Sequence, residues 1–268
     1  MLQLAFERRG PRTVLTERRF TLPLQALECM DLDDSGVAAL LLLNPTGGLV
    51  GGDVLETSVT LGRGSRVCLS TPSATRVYRS AGPPAVQRFR ATVGQDAQLE
   101  WVPGHLIPSP GARLRQTTDV TLGAGASLLF VDSWAVGRVA RGERWRFDQL
   151  DLSVEVRDAR GLLVKDRCVL DAGQRDWLGA AEGFSYLGTF IAAGRVASSW
   201  DDVAHRLRSS VESLSNGARV GVSTLGRGGV LARLLCPSAP ALAATVQALW
   251  SCCRRHLYGL APLALRKL

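Results

Sequence analysis

The chain has 268 residues, 46% of them apolar, and a formal net charge of +8. This length and composition predict a globular protein with a substantial core. The longest apolar run, residues 37–43, is far shorter than the ~20 residues of a membrane-spanning helix, so we expect no membrane segment and no membrane partner.

The first residues and the cysteines both indicate a reducing compartment. The opening MLQLAFERRGPR brings charge directly after a very short apolar stretch, unlike a secretory signal. Six cysteines are scattered along the chain without a disulfide pattern. We therefore expect a cytoplasmic protein with free thiols.

The excess of positive charge favours either a nucleic acid or an acidic protein partner. The basic residues are spread without a dense run, and only Lys165 and Lys267 are lysines. No alternation of basic and aromatic residues is present of the kind that stacks bases. We therefore expect no nucleic-acid partner.

A glycine-rich segment, NPTGGLVGGD at residues 44–53, separates two apolar runs. Its spacing fits neither a phosphate-binding loop nor a dinucleotide fingerprint. The pattern predicts a bend in which glycines permit unusual backbone angles or a close approach of chains, with Asp53 bonding nearby amides. The glycines are Gly47, Gly48, Gly51 and Gly52.

Three segments then repeat one theme, beginning at Thr60, Thr92 and Thr121. Each predicts a strand, a tight turn at a glycine and another strand, and they recur at intervals of roughly 30 residues, a period typical of stacked repeats. Alternating residues at 151–157, a turn at 158–161 and an apolar run at 162–170 predict further strands. Strands are expected from about residue 12 to about residue 195.

Two helices are predicted late in the chain. The first follows Ser199, has Asp201 and Asp202 in its first turn and ends near Leu214. The second runs from about Pro240 to Tyr258 and stops before a glycine, with a hairpin at residues 218–235 between the two helices. The expected fold is a mainly β, stacked-sheet, solenoid-like body with two α-helices in the C-terminal third, forming one domain over residues 1–268.

The second helix has an apolar stripe that either closes the β core or docks a helical partner. Within it, Cys252 and His256 stand four residues apart and would share one helix face, as two metal ligands do. A closed metal site needs about four ligands, and no second cluster is visible, so a core role is favoured. The stripe comprises Leu242, Val246, Leu249, Trp250, Cys253 and Leu257.

Chemistry-bearing patterns are sparse. In GRVARGE at residues 137–143, an ion pair of Arg138 with Glu143 would be worth only ~0 to 1 kcal/mol at a surface, which favours a role in a partner surface or a polar passage. No serine has the surroundings of a nucleophile elbow. A polysaccharide-cleaving β-solenoid would need paired carboxylates, drawn from Asp53, Glu100, Asp132 and Glu143, but no export signal accompanies them.

Several of these segments, in order, resemble the UreD (UreH) family of urease accessory proteins. The resemblance runs through GPRTVL at 10–15, the glycine-rich segment, SATRVYRS at 73–80, LEWVP at 99–103, GRVARGE and a C-terminal segment that ends in LRKL. It implies a non-enzymatic assembly chaperone with a mainly β fold. The implied partners are apo-urease, a helical UreF-type protein and, through the complex, a UreG-type GTPase that carries nickel.

The resemblance also implies residues for partner binding or for an internal passage of nickel. It implies no tightly bound cofactor and at most transient contact with Ni²⁺, for which Asp53 and Glu143 are candidate oxygen ligands. His105 is a further candidate, but a hydrogen-bonded structural or surface role is favoured for a lone histidine. Asn44, Arg76 and His105 depart from residues that are common in the family. A carbohydrate-active β-solenoid enzyme and a generic β interaction module remain as alternatives. The implied site residues are Gly47, Gly48, Gly51, Gly52, Asp53, Tyr78, Arg138 and Glu143.

Overall fold

A computed structural model describes residues 1–171, 181–195 and 199–263. Two large β-sheets dominate it, and the chain alternates between them as it forms successive coils. The predicted β-solenoid with two helices in the C-terminal part is confirmed. None of the helices described is long and apolar enough to cross a membrane. The LRKL end of the chain lies outside the described residues.

Sheet 1 has seven strands, of which the inner five are parallel and the two outer ones antiparallel. The first strand was not predicted, although Leu2, Leu4 and Phe6 alternate into the core with the period of a strand. In spatial order the strands are β17 (Gly161–Asp171), β16 (Gln149–Asp158), β12 (Arg113–Leu122), β9 (Ala85–Val93), β6 (Val54–Leu61), β1 (Leu2–Arg9) and β2 (Arg12–Phe20).

Sheet 2 faces sheet 1 and combines a parallel stack with an antiparallel end. In spatial order its main path is β19 (Arg219–Thr224), β20 (Gly229–Cys236), β18 (Tyr186–Gly194), β13 (Ser127–Ala135), β10 (Gln98–Val102), β7 (Arg66–Ser70), β4 (Ala38–Leu43) and β3 (Gln25–Ala26). The predicted hairpin is the β19–β20 pair.

Short strands form a third side of the coils. They are β5 (Gly48–Leu49), β8 (Thr75–Val77) and β11 (Leu106–Pro108), which stack in parallel. Next to β11 lies a small antiparallel ribbon, β14 (Gly137–Arg138) with β15 (Glu143–Arg144).

The repeated turns are the corners at which the chain passes from sheet 1 to sheet 2. Thr60, Thr92 and Thr121 occupy one register across β6, β9 and β12, as the repeat predicts. The corners stack closely: the amide of Gly94 donates to the carbonyl of Leu61 at 2.9 Å, and a Cβ at Gly94 would lie 2.5 Å from that oxygen. Glycine is therefore required by the spacing of the coils.

Charged side chains cover the two outer strands of sheet 1. Such residues are typical of edges that must not pair with another chain. On β2 they are Arg12, Glu17, Arg18 and Arg19, and on β17 they are Lys165, Asp166, Arg167 and Asp171.

Two helices pack on the outer face of sheet 2. Helix α1 (Trp200–Glu212) begins where the Ser199 hydroxyl accepts from the Asp202 amide, and it ends two residues earlier than predicted. Helix α2 (Ala239–Tyr258) ends at Gly259, whose φ of 63° is favourable for glycine. Four residues of its apolar stripe are buried, so the stripe closes a second core against sheet 2.

A buried ion pair joins helix α2 to the coils. Both Nη1–oxygen distances from Arg254 to the Glu100 carboxylate are 3.0 Å or less, and neither residue is more than 2% exposed. The Trp250 indole donates to the same carboxylate at 2.5 Å, and Arg254 also reaches Asp33 at 2.7 Å. Burial raises the pKa of Glu100 although the guanidinium opposes this. Glu100 is therefore a structural residue rather than one of a pair of catalytic carboxylates.

Candidate functional site

The glycine-rich segment passes very close to the next coil. A Cβ at Gly48 would lie 2.5 Å from the carbonyl oxygen of Arg76 and 2.7 Å from the Tyr78 ring, while a Cβ at Gly51 would overlap the Ser80 hydroxyl. Gly47 and Gly52 have φ values of 77° and 88°, respectively. The predicted bend with close chain approach is confirmed.

Asp53 and Asn44 each hold part of this bend. The Asp53 carboxylate accepts from the Val50 amide at 2.9 Å, as expected for a residue that bonds local amides. The Asn44 amide donates to the Gly48 carbonyl at 3.0 Å, and its oxygen accepts from the Thr46 hydroxyl. Asn44, one of the departures from the family, therefore acts within the turn. Arg76, another departure, is exposed on β8.

Tyr78 and Arg138 line one open cleft of about 1160 Å³ at the third side of the coils. Four arginines border it against one aspartate, which gives the cleft a positive character. The arginines are Arg79, Arg138, Arg144 and Arg146, and the aspartate is Asp148.

Arg138 and Glu143 face each other across the small ribbon. The guanidinium contacts the carboxylate through two N–H groups, Nε to Oε2 and Nη2 to Oε1, the latter at 2.8 Å. The hydrogen bond from Arg138 lowers the pKa of Glu143. A Cβ at Gly137 would overlap the carbonyl of Glu143, so the close approach of the two strands requires glycine at this position. The predicted ion pair is confirmed.

A cavity of about 330 Å³ lies between the two sheets, and sequence reasoning did not find it as a site. Asp132 lines it and accepts from the Gln116 amide through both oxygens, at 3.1 and 3.2 Å. Opposite, Asp166 pairs with Arg233, which also donates to Thr189. These residues come from β12, β13, β17, β18 and β20, so only the fold brings them together.

The environment of Asp132 raises the pKa of its carboxyl above the ordinary value of 3.8. Removal from water raises the pKa of its carboxyl to about 6, and Gln116 partly opposes that shift through its hydrogen bonds. Asp132 is thus mainly ionised at neutral pH and can attract a cation there, but it becomes protonated in mild acid.

Trp145 lines both the cleft and the cavity. Its φ of 54° is unusual for a residue with a Cβ, and its amide donates to the Val136 carbonyl at 2.6 Å. Its ring meets Trp134 edge to face, with centroids 5.9 Å apart. Residues held in an unfavourable backbone conformation are common at functional sites. Trp145 is such a residue, and it forms part of the wall between the cleft and the cavity.

The carboxylates and histidine considered as metal ligands are not gathered into one site. Among residues 1–171, 181–195 and 199–263, no group of three or more His, Cys, Asp or Glu side chains is placed to hold a metal ion. β8 and β11 separate the bend at Asp53 from the ribbon that carries Glu143. His105 stacks edge to face with Tyr186 at 5.4 Å.

The Cys252 and His256 pair also differs from a metal site. Cys252 is 4% exposed within the second core, where burial raises the pKa of its thiol, whereas His256 is exposed. A buried thiol that resists ionisation is a poor metal ligand. The favoured core role of this helix face agrees with the structure.

Comparison with known proteins gives a family match over nearly the whole chain. The family model described as UreD urease accessory protein matches residues 1–267. A urease accessory protein UreD from Dechloromonas aromatica is 35% identical over 95% of this chain and 90% of its own length. Proteins of the same name from Cupriavidus necator and from an Arthrobacter species are 33% and 32% identical, over 99% and 97% of this chain and 92% and 90% of their own lengths.

Proposed function

The chain belongs to the UreD family of urease accessory proteins, and from that premise we propose that it is a non-enzymatic chaperone for assembly of the urease nickel centre. It holds apo-urease together with a UreF-type protein and, through that protein, a UreG-type GTPase. The match over residues 1–267 carries the proposal, because it includes every segment that forms the bend, the ribbon and the cleft.

The proposed compartment is the cytoplasm. All six cysteines are free thiols, and four of them are buried. Reduced cysteines of this kind are typical of proteins that work in a reducing compartment.

The cavity supports a route for nickel as cargo, whereas the positive cleft repels a bare cation and fits an acidic surface of a partner beside the entrance. The cleft is open to solvent, the cavity lies between the sheets, and Trp145 belongs to the wall of both. Oxygen ligands such as carboxylates hold Ni²⁺ less tightly than thiolates or imidazoles do, which suits an ion that must move on. In this proposal Asp132 and Asp166 are the carboxylates of the interior, and Glu143 and Tyr78 belong to the entrance region. Asp53 belongs to the same region, because it holds the bend that packs against Ser80 in the wall of the cleft.

Co-expression with the urease subunits and the other accessory proteins tests the proposed function. An affinity tag on this chain is expected to recover apo-urease, the UreF-type protein and the UreG-type GTPase, and urease activity is expected to depend on this chain. A folded chain that recovers none of these proteins would instead favour the generic interaction module.

Asp53→Ala and Glu143→Ala are expected to impair nickel loading of urease more than folding or complex assembly. For Asp53, loss of one turn-stabilising hydrogen bond costs about 1 kcal/mol, which a protein of ordinary stability tolerates. The measurement is the nickel content of urease in the recovered complex, with melting temperature as the control. Wild-type loading in both variants would remove these two residues from the proposed route.

A further inference from the structure

A basic strip follows the corners at which the chain passes from sheet 1 to sheet 2, at the opposite edge of the coils from the cleft. Its first part is a groove of about 770 Å³ next to the end of helix α2. Four arginines line this groove: Arg8, Arg63, Arg66 and Arg195.

Three of these arginines lack a nearby carboxylate. Of the four arginines, only Arg195 forms a salt bridge within the described residues, with 3.6 Å between its Nη1 and Oδ1 of Asp96. Arg8 donates instead to the carbonyls of Gly10 and Gly64, so its charge is not neutralised. Burial, together with the charge of Arg8, lowers the pKa of Arg66. Like charges held this close without counter-charges favour an anionic ligand.

Two buried polar atoms at the wall of the groove also lack partners. Within the part of the chain that the structure describes, neither the Tyr258 hydroxyl nor the Gln98 side-chain oxygen makes a hydrogen bond of normal geometry, although Ser127 lies beside the tyrosine. The tyrosine hydroxyl can donate a hydrogen bond to an anion. The Gln98 side chain can do so too if its amide group rotates by 180°, which puts the NH2 group where the oxygen stands. Such groups are expected to be satisfied when a ligand binds.

The strip continues into an adjoining groove of about 540 Å³, whose wall shares Asp96, Gly125 and Arg195 with the first. The second groove adds Arg160 and Arg227, which both pair with Asp158. The two grooves together present six arginines against two aspartates. This continuity fits an extended polyanion better than a small ion.

The chemistry of the strip distinguishes between polyanions. Single-stranded nucleic acids are held by aromatic side chains on which bases stack, in addition to basic residues. Among the described residues, Tyr258 in the first groove is the one aromatic residue that lines either groove, and its hydroxyl is buried. An arginine guanidinium can bind a carboxylate through two parallel hydrogen bonds, and this interaction needs no stacking surface.

We propose that the basic strip binds an acidic, extended segment of a partner protein. This interaction surface goes beyond the assembly role and needs neither nickel nor urease activity. It is separate from the cleft, so one partner can occupy each edge of the coils.

The test uses the full chain and a fluorescently labelled peptide of about 20 glutamates, with binding followed by fluorescence anisotropy at fixed salt. Reversing two strip charges in Arg63→Glu/Arg66→Glu is expected to weaken binding at least tenfold, about 1.4 kcal/mol. The matched control is Arg206→Glu/Arg255→Glu, which makes the same change in net charge at exposed helical positions outside both grooves. The control is expected to bind within about twofold of wild type.

Tyr258→Phe is expected to weaken peptide binding about two- to fivefold without changing the net charge, because only the hydroxyl is removed. Melting curves of every variant establish that the chain is folded. Equal losses in the two double variants would mean that net charge alone attracts the peptide, and would overturn the proposal. So would tighter binding of a single-stranded DNA of equal length through Arg63 and Arg66.

Discussion

Arg254→Met is expected to lower the free energy of unfolding by about 3 to 5 kcal/mol, because it leaves the buried Glu100 carboxylate without its counter-charge. Methionine replaces much of the arginine's volume, so a cavity is not the main cause. The contact of Arg254 with Asp33 is lost as well. Chemical denaturation at pH 7, followed by circular dichroism, measures the change.

Trp250→Phe is the matched control. It retains an aromatic ring in the second core and removes one hydrogen bond to Glu100, so the expected cost is smaller, about 1 to 3 kcal/mol. If Arg254→Met were no more destabilising than this control, the ion pair would contribute little and packing alone would hold helix α2.

The pH dependence of Arg254→Met provides a second check. Burial already raises the pKa of Glu100 above its ordinary 4.5, and loss of the guanidinium, which lowers it, raises it further. An acid whose pKa is higher in the folded chain loses stability as pH rises from the unfolded pKa through the folded one. The deficit of the variant is therefore expected to be largest at neutral pH and to shrink as pH falls toward 4.5.

Asp132→Asn is expected to reduce the nickel content of urease several-fold in the recovered complex while leaving the chain folded. The substitution removes a charge from the cavity between the sheets but keeps an oxygen that can accept from Gln116. A loss of about fivefold corresponds to about 1 kcal/mol of interaction with the passing ion. The effect is expected to exceed that of Asp53→Ala, because Asp53 already accepts from the amide of its own turn.

Stability separates this role from a structural one. The pKa of Asp132 is raised to about 6, so its ionised form destabilises the fold above that pH, and this disadvantage disappears as pH falls toward 3.8. At pH 7 the asparagine variant is expected to be at least as stable as wild type. Normal nickel loading in a stable, assembled variant would exclude Asp132 from the route, whereas a loss of complex would indicate a structural role.

Much of the fold could be predicted because its signals are local and repeated. The turns after Thr60, Thr92 and Thr121 recur with one spacing, and the caps at Ser199 and Gly259 mark helix ends by their own chemistry. The position of the glycine-rich bend followed from the same kind of local signal.

The site could be predicted only where its residues are neighbours in sequence. Arg138 and Glu143 are five positions apart, so their pairing was visible from one motif. Asp132, Asp166 and Arg233 meet because three strands from two sheets face one cavity. Glu100 and Arg254 are separated by 154 positions, and no local pattern indicates that they are partners.

The outer strands of sheet 1 also limit the size of what this chain can form. A stack of parallel coils ends, on each side, in a strand whose outer backbone N–H and C=O groups are unpaired. A strand of another copy can pair with that edge, and repeated pairing of this kind builds fibres. Here β2 and β17 reverse the strand direction at both ends and present charged side chains. Both features oppose the pairing of sheet 1 with sheet 1 of another copy, and therefore disfavour end-to-end growth of the coils into a fibre.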